Sequence, residues 1–218
     1  MKQHVLNVIF ALLLCSGLLR GETVNLSPVA DAHANSAAPN SYYGTSGELW
    51  VRSFSGTDAL NSMKIYLRFK LPADVVSVTS AELTFIRTTA ASTLPYRLYG
   101  LKPESAGQNW SETQLSWNNA PANNPASISE VTPDASGVLA DVTWNAGVIG
   151  TAAVIPTTAE LVSFLNRFSG GDEVTLILVQ NQDSAQMNKL ASRENTTYSG
   201  PVLTLTYSTG ELKLFILH

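Results

Sequence analysis

Residues 63–71 carry apolar side chains at every odd position, Met63, Ile65, Leu67, Phe69 and Leu71, whereas Lys64, Tyr66, Arg68 and Lys70 fill the even ones. Successive side chains of an extended chain point to opposite faces, so this alternation predicts a strand with one face in a core and the other turned outward. Comparable β-rich runs at 48–54, 81–88, 95–101, 138–143, 173–180 and 201–207 are separated by Gly, Pro, Asn and Ser clusters. Strands of this kind joined by long loops predict an all-β fold, a two-sheet sandwich of jelly-roll type. One short helix is predicted over residues 158–168. Thr157 and Glu160 form a capping box, Leu161, Phe164, Leu165 and Phe168 recur at helical spacing, and Gly170 with Gly171 ends the pattern. Residues 118–136 are turn-rich and predict a long surface loop.

The amino terminus reads differently. Met1, Lys2, Gln3 and His4 precede a stretch from Val5 to Leu19 that only Asn7 and Ser16 interrupt with polarity, the pattern of a secretory signal. That stretch is shorter than the roughly 20 residues of a membrane span. Cleavage is expected near Gly21, dividing the chain into a signal over 1–21, a single domain over 22–210 and a tail over 211–218. The mature protein is then exported, with no membrane partner once the signal is gone. A lipid anchor on Cys15 is disfavoured because Leu13 and Leu14, not small residues, precede it. Cys15 is the only cysteine, so the mature domain must hold together without disulfides. Removing Lys2 and Arg20 from 13 basic residues leaves 11 against 17 acidic ones, an excess of negative charge that argues against nucleic acid as a partner. A monomer is expected.

Half of the four tryptophans fall in the segment from Trp110 to Pro121, with Glu112 and Asn118 between and beside them. Exposed, Trp110 and Trp117 would form a platform for the apolar face of a sugar, with Glu112 and Asn118 as hydrogen-bond partners; buried, they would fill the end of a sandwich and Glu112 would tie the loop through backbone N–H groups. The alternation of the strands sends Glu48, Trp50 and Arg52 to one face, and Lys64, Tyr66, Arg68 and Lys70 to the outer face of their own strand. If both strands share a sheet, Trp50 or Tyr66 would stack on a sugar while Arg52 or Arg68 grips a carboxylate. The plainer reading is that these are solvated side chains, with Arg68 paired to Glu194. Arg193 and Glu194 are adjacent, so in a strand only one would face a given patch, and a structural salt bridge is the expected role. Asp31 is a candidate ligand for a structural Ca2+, although spacing does not identify the other oxygens. Asn109 and Asn195 head glycosylation-type tripeptides.

Taken in order, these residues resemble a known family, the DNRLRE domain or carbohydrate-binding module family 96, related to the disaggregatase repeat. Ala30, Asp31, Ala32 and His33 resemble its opening "ADAYV" strand, and Tyr42, Tyr43 and Gly44 followed by Glu48 to Val51 resemble its "NYG…L.V" hairpin. Residues 65–71 are similar to "AYLRFDL", residues 78–83 to "V.SA.L", and the tryptophan segment to "W.E..LTWNN.P". Ser192, Arg193 and Glu194 with Pro201 and Leu203 resemble the closing "SRE…P.L.V.Y". His33 replaces the usual aromatic, Lys70 stands where an acidic residue is usual, and Ser116 replaces a threonine. The resemblance spans about residues 29–207. It implies a secreted jelly-roll module attached to polysaccharide-degrading or surface proteins, in some members binding acidic polysaccharide such as alginate. It also gives Trp110, Glu112, Trp117, Asn118, Arg193 and Glu194 the place of framework residues, leaving Trp50, Arg52, Tyr66 and Arg68 as the ligand-binding set.

Catalytic motifs are absent from the sequence: neither His33 nor His218 sits in a hydrolase or metal-ligand spacing, and no nucleophile elbow or phosphate loop occurs. A noncatalytic polysaccharide-binding module is therefore expected, with a structural matrix module as the alternative and a lyase or glycosidase as a distant third.

Overall fold

A computed structural model describes residues 19–56 and 61–210, so the apolar leader and the tail beginning at residue 211 lie outside the described residues. Eleven strands are described: β1 (Leu19–Leu26), β2 (Ala30–Asn35), β3 (Glu48–Val51), β4 (Met63–Lys70), β5 (Val75–Ile86), β6 (Leu94–Gly100), β7 (Ala140–Trp144), β8 (Ala152–Ile155), β9 (Glu173–Gln180), β10 (Asn188–Ala191) and β11 (Val202–Gly210). They form a four-stranded sheet in the order β1-β11-β5-β8, a five-stranded sheet β2-β4-β9-β6-β7, and a pair β10-β3, all antiparallel. A bridge between Arg87 and Leu190 hooks the pair onto the end of β5. The all-β sandwich expected from alternation is the observed architecture. β1 begins at Leu19, so cleavage at Gly21 would fall inside the strand that pairs Leu19 with Gly210 and Leu26 with Leu203.

The helix α1 (Ala159–Leu165) is shorter than the 158–168 expected, and its cap is one residue later. Thr158 accepts the Leu161 N–H at 3.0 Å, whereas Thr157 is spent on Ser80 and the Ala81 N–H. Leu161, Phe164 and Leu165 close one end of the core, and the Phe164 ring lies so close to Gly100 that an added Cβ would sit 2.2 Å from it.

Two separate apolar layers hold the molecule. The first lies between the sheets and includes Ile65, Leu67 and Phe69 from β4, Leu83 and Phe85 from β5, Tyr96, Trp144, Leu176, Leu203 and Leu205. The second lies on the opposite face of the five-stranded sheet, where Ala30, Ala32, Ala34, Tyr66, Ile177 and Val179 are covered by Leu101, Trp110, Leu115, Trp117, Ala122 and Ala135. The long loop between β6 and β7 thus lies flat on the sheet as a third layer. This corrects the expected outward face of β4: Lys64 and Tyr66 are fully buried, because the loop supplies the roof that alternation alone cannot reveal. Alanines on β2 leave room for that roof.

Candidate functional site

The roof is built around its two tryptophans. The Trp110 indole meets Tyr66 edge-on at 6.3 Å between centroids and donates from Nε1 to Thr175 Oγ1 at 3.1 Å. Arg68 lies beneath, 5.2 Å from the Trp110 ring centroid, and donates to the Trp110 carbonyl at 3.0 Å while pairing with Glu173 at 3.2 Å. The expected pairing of Arg68 with Glu194 is therefore replaced by Glu173, which reaches Arg68 from the neighbouring strand β9.

Trp117 is also buried, and the Lys64 ammonium sits 4.7 Å from its ring centroid. Lys64 donates to Asn123 Oδ1 at 2.8 Å and to the Glu130 carbonyl at 2.6 Å. Burial pulls its pKa down to about 7, with the Glu130 charge opposing. The amide of Asn119 spans the turn between, accepting from the Ser116 N–H at 2.7 Å and donating to the Gln114 carbonyl at 2.8 Å. Asn118 extends the tie to the β2–β3 connection, donating from its side chain to Asn40 at 2.9 Å.

Beside this framework opens a cleft of about 660 Å³, within the range of small-ligand sites. Leu115, Pro121 and Ala122 with the edge of Trp110 give it an apolar floor, and Gln108, Asn109, Gln114 and Asp134 stand around it. Ala122 holds a positive φ of 55°, a backbone strain of roughly 1 kcal/mol that the hydrogen bonds around it must sustain. Gln108 donates to the Lys102 carbonyl at 2.5 Å, and its Oε1 is buried with no partner.

Trp50 and Arg52 lie elsewhere. Trp50 pairs across β3 and β10 with Lys189, whose ammonium covers one face of the indole at 4.3 Å from its centroid. His33 stacks on Trp50 at 5.3 Å and on Tyr43 at 4.4 Å, and the Trp50 Nε1 donates to Glu48 at 3.0 Å. The indole is thus enclosed in a column and is not an open platform. His33 is fully buried, neither ring nitrogen has a hydrogen-bond partner, and burial lowers its pKa to about 4 against the smaller opposing influence of Glu48.

Arg52 bridges to Met63 at the start of β4 and donates to both the backbone and side-chain oxygens of Asn61. Arg68 lies five residues further along β4, roughly 17 Å at the rise of an extended strand. The four expected ligand residues are therefore not one patch: Tyr66 is sealed under the roof, Arg68 anchors the roof, Trp50 lies in the small β3–β10 sheet, and Arg52 follows that sheet at its bridge to Met63.

A third constellation joins residues far apart in the chain. Glu112, in a single 3-10 turn (Glu112–Gln114), accepts the free-edge N–H of Asp31 at 2.7 Å. Asp31, only 1% exposed, accepts the Arg193 N–H at 2.9 Å, and Arg193 Nε lies 3.1 Å from Glu112 and 2.7 Å from Glu194. Arg193 and Glu194 follow β10 in a turn, not in a strand, so both face the same cluster, contrary to the expectation from alternation. Burial raises the Asp31 pKa to about 7, opposed by the Arg193 N–H and reinforced by the charges of Glu194 and Glu112. Sequence reasoning named Asp31 as a cation candidate and Glu112 and Glu194 as framework residues, but did not bring the three together.

No helix among the described residues is long and apolar enough to cross a membrane. The family model of carbohydrate-binding module family 96 matches residues 22–207, and the chain belongs to that family. No curated protein is similar enough to the chain to count as a relative.

Proposed function

We propose that this carbohydrate-binding module is exported, acts as a noncatalytic monomer and holds a polysaccharide chain in the cleft beside Trp110. The observation that carries the reading is the cleft's composition: an apolar floor of Leu115, Pro121 and Ala122 beneath exposed Asn109 and Gln114. A pyranose has an apolar face and a rim of hydroxyls, and planar amides both donate to and accept from such hydroxyls. The enclosure of His33 in its aromatic column supports the noncatalytic reading, since a buried ring is poorly placed to carry protons to a substrate.

The Arg52 surface supports a second reading, in which the glycan is acidic and alginate-like. Among the described residues no carboxylate pairs with Arg52, whose side-chain hydrogen bonds there go to Asn61, and Lys189, paired with Glu48, stands on the small sheet that Arg52 follows. A uronate would supply the missing charge. Affinity electrophoresis through gels containing neutral or acidic polysaccharide separates the readings. Retardation lost in the Asn109→Ala/Gln114→Ala double variant and retained in Arg52→Ala supports the cleft; the reverse, with acidic gels only, supports the Arg52 surface. Absence of retardation across a broad glycan panel would reject both. Release of reducing or unsaturated ends would reject the noncatalytic reading.

A further inference from the structure

We propose that Asp31, Glu112 and Glu194 bind a single hard divalent cation, Ca2+ by the chemistry of the donors, which clamps the second strand, the cleft loop and the turn after β10 together. One carboxylate oxygen from each residue lies within 4.8 Å of the others. Oxygens bound to a common Ca2+ at about 2.3–2.6 Å can stand up to roughly 5 Å apart, so one ion spans all three.

Proximity of acids is common on surfaces, but the buried oxygens here are a separate observation. Asp31 is 1% exposed, and its Oδ1 has no hydrogen-bond partner; Glu194 Oε2 is likewise buried and unpartnered. Three of the other four oxygens have partners: Asp31 Oδ2 the Arg193 N–H, Glu112 Oε1 the Asp31 N–H and Arg193 Nε, and Glu194 Oε1 Arg193 Nε. Buried anionic oxygens without donors are costly unless a proton or a cation meets them. Three carboxylates and one guanidinium sum to a charge of −2, which a divalent ion neutralises.

The donor set selects the ion. All donors are oxygens, with no imidazole or thiolate, which disfavours zinc and other soft ions. Three protein carboxylates on separate segments suit the adaptable coordination of Ca2+ better than the near-octahedral, water-retaining shell of Mg2+. A shallow pocket lined by Ser27, Pro28, Arg193, Glu194, Gly200 and Pro201 opens onto Glu194 and gives the ion and its waters a way in. Because Glu112 lies two residues beyond Trp110, the ion would fasten the cleft loop without touching the glycan.

The test is titration of the purified protein, stripped with EDTA, by CaCl2 in a calorimeter and by Tb3+ with luminescence excited through tryptophan. One saturable site per chain is expected, with Mg2+ weaker, and a rise in Tm of roughly 5–10 °C at a hundredfold excess over Kd. Glu194→Gln, at a partly exposed position, is expected to weaken Ca2+ binding at least tenfold while the variant stays folded. Asp31→Asn is the second variant, and if it fails to fold, Glu194→Gln alone decides. Absence of saturable binding in the wild type overturns the proposal and leaves a shared proton between Asp31 and Glu194 as the group that meets their oxygens. Unchanged affinity in Glu194→Gln overturns it equally.

Discussion

Arg68 grips Trp110 twice, placing its guanidinium 5.2 Å from the indole centroid and donating to the carbonyl of the same residue at 3.0 Å. The side chain rises from the sheet and pins the roof at the residue that forms the edge of the cleft. Arg68→Ala leaves Glu173 and the Trp110 carbonyl without their partner and is expected to cost about 2 kcal/mol, read from urea unfolding. Arg68→Lys keeps the charge but loses the fork, so it should recover less than half of that loss. A variant as stable as the wild type would show that the roof holds without this anchor.

His33 gives the domain an acid-side liability. Its pKa is about 4 when folded and near 6.5 when unfolded, so the unfolded chain binds more protons between those values and this contribution to stability is lost as pH falls from 6.5 through 4. Asp31 works in the opposite sense: raised to about 7, it favours the folded state at low pH and loses that contribution as pH rises from 3.8 through 7. The two overlap in the wild type, and a variant separates them. His33→Phe keeps a ring between Tyr43 and Trp50, and its stability relative to the wild type is expected to increase by about 3 kcal/mol as pH is lowered from 7 to 4. A difference that stays flat with pH would mean that His33 titrates in the folded protein as it does in the unfolded chain.

Gly44 meets the roof at its backbone. A Cβ there would stand 1.9 Å from the Glu112 carbonyl oxygen and 2.5 Å from its carbon, and a main chain so placed has little room to yield. Gly44→Ala is expected to cost about 3 kcal/mol, the upper part of the overpacking range. It should also disturb the Glu112 contact to Asp31, visible as faster amide exchange at Asp31. Normal stability in this variant would show that the roof has more slack than its contacts suggest.

The longer apolar or alternating runs were legible from sequence: β9 occupies the expected 173–180, and β4 and β6 begin and end within a residue of expectation. Short β8 and β10 were not, because four residues such as Ala152–Ile155 or Asn188–Ala191 carry too little pattern. The larger miss concerned faces. Alternation in β4 places Tyr66 outward from one layer but is silent about a second layer over that face. The signal lay in β9, where Val174 to Val179 are buried without a break, the mark of a strand covered on both sides. Of the candidate site, the tryptophan segment was found by its composition. The Asp31–Glu112–Glu194 cluster was not, since its members are brought together only by folding across the whole domain.

The pairing of β1 with β11 also decides how the domain answers to pulling. Leu19 lies opposite Gly210, so the two ends of the described domain are neighbours at one edge of the sandwich. Tension applied through both flanks would open this seam one pair at a time, as a zipper, because the load never falls on all eight pairs together. Tension between one flank and a glycan held at the roof would instead travel through the stacked layers, where the chain is interlocked. Pulling through Leu19 and Gly210 is therefore expected to unfold the domain at lower force than pulling between either of them and the roof.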